Sequence, residues 1–139
     1  LEHVEKRLGV KPGQTTPAPW VNVIASPHIG TVVSEGGSAY TWAENAHEFR
    51  LTPWHNDPLS DSSGEAFYIR DEDTGAFWSP TPQPACGRSG YVCRHGFGYS
   101  VFEHYEAGIA SELFTYVAMD APVKLARPMA KTMAQASSV

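Results

Sequence analysis

The breaks in this chain decide what it can become. Eleven prolines and twelve glycines are spread through 139 residues, and a proline inside a helix removes a backbone donor and clashes with the preceding turn, at a cost of about 3 kcal/mol. Only short elements fit between such breaks. What lies between them is β-branched and aromatic: Trp20–Ala25, Ile29–Ser34 and Ala39–Ala43, side chains that suit a pleated, half-buried surface. Three strands are predicted there, with Ser26-Pro27-His28 and Gly36-Gly37-Ser38 as the turns. Ala66–Arg70 and Ala76–Ser79 flank five turn-forming residues ending in Gly75, which predicts a hairpin. Tyr91–Arg94 and Tyr99–Tyr105 read as strands around His95–Gly98, and Gly108 closes a further hairpin into Ile109–Met119. On that last strand Ile109, Leu113 and Val117 share one face while Phe114, Tyr116 and Ala118 share the other. Apolar residues on both faces predict a sheet covered on both sides, as in a stacked sandwich.

The ends read differently. Val4 and Leu8 are four apart, and Glu2 and Glu5 sit where a helix dipole favours acids, so residues 1–9 predict two turns of helix. Gln14–Pro19 is a polar, proline-containing linker, and Thr52–Glu65, with two prolines, two aspartates and Gly64, a long surface loop. Residues 126–138 switch to alanine, methionine and lysine, a helix-favouring or frayed tail. The expected organisation is residues 1–13 as an N-terminal helix and linker, 14–124 as an antiparallel β-sandwich, and 125–139 as a divergent tail.

At 15.2 kDa there is room for one domain. A net charge of −5 leaves no basic field to condense on phosphates, which sets nucleic acid and anionic membranes aside as partners. No apolar stretch approaches the roughly 18 residues of a membrane span, and the first seven residues lack the apolar region of a secretory signal. Localisation is left open.

Several constellations of side chains are candidates for chemistry. Cys86, Cys93, His95 and His104 fall within 19 residues, but the two cysteines are separated by six residues where a zinc knuckle wants pairs two to four apart, so no metal and no cofactor is expected. The cysteines read as small apolar residues, with a disulfide between them open if the chain is exported. Asp57, Asp61 and Glu65 are spaced to converge as acid and base on a sugar, although aspartates beside proline, serine and glycine more often cap turns. There is no Gly-x-Ser-x-Gly elbow and no phosphate-cradling glycine loop before a helix. What stands out is aromatic and planar polar chemistry: Trp42, Arg50 and Trp54, then Arg94 and His95 beside two glycines. Aromatic surfaces combined with planar donors suit sugars, so these five are the candidate carbohydrate contacts. In a sandwich the tryptophans also serve as plain core.

The ordered series Thr16–Ala25, Gly30–Ser34, Tyr40–Asn45, His47–Trp54, Gly64–Asp71, Phe77–Pro80 and Arg94–Tyr99 resembles the N-terminal sandwich domain of glycoside hydrolase family 94. The likeness is nearest to the phosphorylase-like region of cyclic β-1,2-glucan synthases and covers about residues 14–124. It implies a mainly β fold, part of a galactose-mutarotase-like super-sandwich. It also implies a large parent, associated with the bacterial inner membrane in the synthase branch, whose catalytic acid and phosphate-binding groups lie in a separate helical barrel. No catalytic residue is carried over to this chain. The implied function is therefore a non-catalytic sandwich portion with scaffold, oligomer and cleft-edge roles. Its expected partners are a β-glucan or oligosaccharide, bound weakly or through the missing catalytic domain, and a second copy of the chain pairing at open sheet edges. From about Leu125 the family pattern is left where more strand should follow, so the chain reads as a fragment, about half of the sandwich. A free-standing carbohydrate-binding module is the alternative, and a small hydrolase using Asp57, Asp61 or Glu65 a third reading.

Overall fold

The computed structural model describes residues 5–14, 16–55, 60–62 and 64–133. Ten strands are present: β1 (Lys6–Val10), β2 (Val21–Ala25), β3 (Ile29–Ser34), β4 (Ala39–Ala43), β5 (Ile69–Arg70), β6 (Phe77–Trp78), β7 (Tyr91–Gly96), β8 (Tyr99–Glu106), β9 (Ile109–Val117) and β10 (Lys124–Thr132). All pairings are antiparallel. A five-stranded sheet runs β1-β7-β8-β9-β10, a three-stranded sheet β2-β3-β4, and β5-β6 is a small separate hairpin.

The inner face of the large sheet is set by its register. Leu8, Cys93, Phe102 and Leu113 lie side by side across β1, β7, β8 and β9. From the small sheet Ile24, Ile29 and Val33 meet them, and with Val117 these residues form the buried core. The chain turns tightly where the ladder demands it. Ala107 and Gly108 join β8 to β9 with φ of 50° and 79°, the paired positive φ values that match a hairpin's right-handed twist.

The interior strands follow the sequence reading closely, and the two ends do not. Among the described residues there is no helix. Lys6–Val10 is an edge strand on β7, because Leu8 gains the core by pairing and an isolated two-turn helix has too few hydrogen bonds to sustain itself. Residues 1–4 and 134–139 lie outside the described residues. Likewise Lys124–Thr132 pairs with β9 along nine residues in place of a helical or frayed tail. Alanine and methionine favour helix only weakly, and tertiary pairing overrides that preference. Proline is admitted at Pro128 because Leu113 and Pro128 form a non-hydrogen-bonded pair. The bonds from Ala118 N to Val123 O and from Met133 N to Gly108 O fix that alternation, so the missing donor falls on the free edge.

The expectation of a sheet covered on both sides is met on one. Ser111, Leu113, Thr115 and Val117 of β9 are buried, while the alternate residues are half-buried. No second layer covers that outer face among the described residues. Its aromatics cover one another: Tyr99 stacks on Phe114 at 5.5 Å, and Phe114 meets Tyr116 edge-on at 5.3 Å.

Candidate functional site

The five sequence candidates separate into three places. Trp42, Arg50 and Trp54 come together on the outer face of the small sheet. Trp42 lies on β4 across from Gly30, and its ring rests so closely on Gly30 that a Cβ there would come within 2.1 Å of the indole. Arg50 pairs with Trp42 through an isolated bridge, and its guanidinium sits 5.3 Å above the Trp54 ring, a cation–π contact. Tyr40, two residues before Trp42 and therefore on the same face, links the group. Its ring is 5.5 Å from Trp42 and 5.4 Å from Trp54.

Arg94 and His95 are neighbours in β7, so their side chains point to opposite faces. Arg94 lies on the outer face of the large sheet, where it reaches Glu103 at 3.2 Å, Glu5 at 3.4 Å and Glu112 at 3.9 Å. His95 points inward and is 7% exposed. Its Nδ1 is 2.9 Å from the Ser100 hydroxyl, and Cys93 Sγ lies 3.6 Å from Nε2. Burial holds the imidazole below its ordinary range. Both side chains are thus engaged by partners within the fold.

Cys93 and Cys86 are both free thiols. Cys93 is fully enclosed, and burial pushes its thiol up to about 12, which leaves it an inert apolar filler. Cys86 is exposed on the loop before β7. His104 stacks on Tyr91 at 3.7 Å. Of the acids weighed for hydrolysis, Asp57 lies outside the described residues, and the other two do not converge. Glu65 turns into the sandwich, where it accepts hydrogen bonds from Thr41, from Thr52 at 2.9 Å and from Lys124 Nζ at 2.5 Å. Burial by itself would raise its carboxyl, but these three donors and the Lys124 charge outweigh burial and lower it. Asp61 accepts a 2.6 Å hydrogen bond from Ser34 on the outer side. There burial raises the carboxyl, and the hydroxyl bond only partly offsets it.

Asp61 and Trp54 line a cleft of about 270 Å³ on the small sheet. Val21 and Val32 form its floor, Pro19 stands on one side, and Tyr40 and Trp54 stand on the other. Sequence reasoning missed Tyr40 and assigned Asp61 a different role. The signal for Tyr40 was its place two residues from Trp42 on a strand. For Asp61 there was none, because its partner Ser34 lies 27 positions away.

The glycosyl hydrolase 94 supersandwich domain model matches residues 5–128. Over 124 residues the chain is 36% identical to the cyclic beta-(1,2)-glucan synthase NdvB of Rhizobium meliloti (strain 1021), a match covering 88% of this chain and 4% of that protein. It is 33% identical to the N,N'-diacetylchitobiose phosphorylase of Vibrio furnissii, covering 73% of the chain and 13% of the relative. With the solabiose phosphorylase of Paenibacillus borealis it shares 33% identity, over 81% of the chain and 15% of the relative. The chain thus corresponds to a small part of each of these proteins.

Proposed function

The chain belongs to the glycosyl hydrolase 94 supersandwich family, and from that membership we propose that it is the non-catalytic sandwich portion of a protein that builds or phosphorolyses β-linked glucans, of the cyclic β-1,2-glucan synthase or disaccharide phosphorylase kind. The observation that carries this reading is the distribution of carboxylates. Glycoside chemistry of the usual kind needs two acids facing one bond, about 5–10 Å apart. Here Glu65 is committed to Lys124 inside the sandwich, Glu5, Glu103 and Glu112 surround Arg94 on the far face, and among the described residues Asp61 is the single carboxylate lining the cleft; Glu35, which shares a neighbouring cavity with Asp61, is buried and already accepts a hydrogen bond from Thr16. A supporting role fits the surfaces as well. Val23 on the small sheet, and Tyr105 and Met129 on the large one, are exposed apolar side chains, suited to packing against the rest of a larger protein.

A free-standing carbohydrate-binding module is the second reading, favoured by the aromatic wall of the cleft. The two readings share the absence of turnover. Incubated with linear β-1,2-glucan and inorganic phosphate, the purified chain is expected to release neither glucose 1-phosphate nor new reducing ends above a protein-free control. Release of either would overturn the non-catalytic assignment.

A further inference from the structure

We propose that the cleft between Pro19 and Trp54 binds one glucopyranosyl unit, its apolar face on the Tyr40–Trp54 wall and its hydroxyls at the Asp61 end. The choice of a glucose unit rests on the proposed glucan-handling role, and the rest stands on the cleft itself. A volume of about 270 Å³ equals roughly nine waters at about 30 Å³ each, which is room for one sugar ring and not for a chain of them. The walls match a sugar's two-sided chemistry. Tyr40 and Trp54 are fixed against each other at 5.4 Å with 32° between their planes, a preformed apolar wall whose ordering was completed on folding. The cleft is also lined by Asp61, Ser34 and Ser38; Ser34 donates to Asp61 and Ser38 to the Ser62 carbonyl, so what this part of the cleft offers a sugar's hydroxyls is chiefly acceptor oxygen.

Other ligand classes fit less well. A purely apolar ligand would strip water from the Asp61 carboxylate without replacing its hydrogen bonds, which is costly. An anion such as a sugar phosphate would meet the Asp61 carboxylate with no lysine or arginine among the described lining residues to balance it, His55 being the one basic side chain among them. The cleft is thus matched to the neutral sugar and set against its phosphorylated form. Among the sequence candidates the proposal selects Trp54, with Trp42 and Arg50 as positioning residues behind Tyr40 and Trp54, and it leaves Arg94 and His95 out.

The test is a ¹⁵N-resolved titration of the whole chain at pH 7.5 with methyl β-glucopyranoside, with the β-1,2-linked glucose disaccharide, and with glucose 1-phosphate. The neutral sugars are expected to move the Trp54 indole N–H saturably while the buried Trp78 stays still, and glucose 1-phosphate to bind at least ten-fold more weakly. Trp54→Ala and Asp61→Asn are each expected to weaken the neutral sugars at least five-fold, while Tyr105→Ala on the far sheet leaves them unchanged. If Asp61→Asn fails to fold for want of the Ser34 bond, the exposed Trp54 carries the decision. Absence of a saturable shift, unchanged affinity in Trp54→Ala, or tighter binding of glucose 1-phosphate would overturn the proposal. These outcomes are separate from turnover: a silent cleft in an inactive chain removes the sugar site alone, whereas glucan turnover removes the non-catalytic reading whatever the cleft binds.

Discussion

Replacing Lys124 by methionine is expected to destabilise the chain by about 3–5 kcal/mol at neutral pH, the usual cost of leaving one partner of a buried ion pair alone. The Lys124 and Glu65 side chains are 12% and 17% exposed, so water cannot take over for the lost ammonium. Lys124 also donates to the Thr31 and Thr41 hydroxyls at 3.0 and 3.2 Å, which ties the last strand of the large sheet to the middle of the small one. The pH dependence distinguishes this mechanism from simple loss of packing. In the wild type Glu65 is held below its ordinary value of 4.5. It therefore contributes stability that is present above that value and lost as pH falls through the folded one. Without Lys124 the carboxyl loses two of the influences that lower it and rises relative to the wild type, so acidification costs the variant less. His95, held below its ordinary 6.5 by burial, costs both proteins stability as pH falls below that value and cancels in the comparison. Urea denaturation at pH 7.5 and pH 4.5 should therefore show the difference between variant and wild type shrinking in acid. A gap that is constant, or that grows, would mean that the pair is not the source of the effect.

The second large effect is expected at Gly30. A methyl group there would sit 2.1 Å from the Trp42 indole, a separation that forces the ring off the sheet. Overpacking of this kind costs about 1–3 kcal/mol, and here it also disturbs the tilted ring contact between Trp42 and Tyr40. Gly30→Ala should lower the melting temperature and alter tryptophan fluorescence. Combining it with Trp42→Val should cost less than the two single changes summed, because the smaller side chain removes the clash that the first substitution creates. Strict additivity would show that Gly30 and Trp42 do not act as a cross-strand pair.

Much of the interior was legible from residue order. β2, β3 and β4 fall within the β-branched runs that predict them, and β7, β8 and β9 around the glycine breaks, because in these segments local preference and burial ask for the same conformation. The ends were misread for the opposite reason. The periodicity of Val4 and Leu8 and the alanines after Lys124 carry a weak helical preference, and the strands they become are decided by partners 80 or more positions away for β1 and by the length of β9 for β10. The site was partly legible. Trp42, Arg50 and Trp54 were recognisable by composition and do assemble. Arg94 and His95 stood out equally, yet strand alternation sends one into a cluster of glutamates and the other into the core. Local sequence signals a residue's chemistry more plainly than its direction, since a single-position change in register exchanges the two faces.

β10 closes the large sheet as a strand, which turns Lys124 inward onto Thr31, Thr41 and Glu65 and ties the cleft sheet to the large one. Native-state hydrogen exchange resolved to single residues tests this most directly. The ladder with β9 predicts protected amides at Leu125, Arg127, Met129 and Lys131 and fast exchange at Ala126, Ala130 and Thr132, whose N–H groups point to the free edge. Exchange that is fast throughout 124–132, or protection running continuously through consecutive residues as in a helix, would contradict the account.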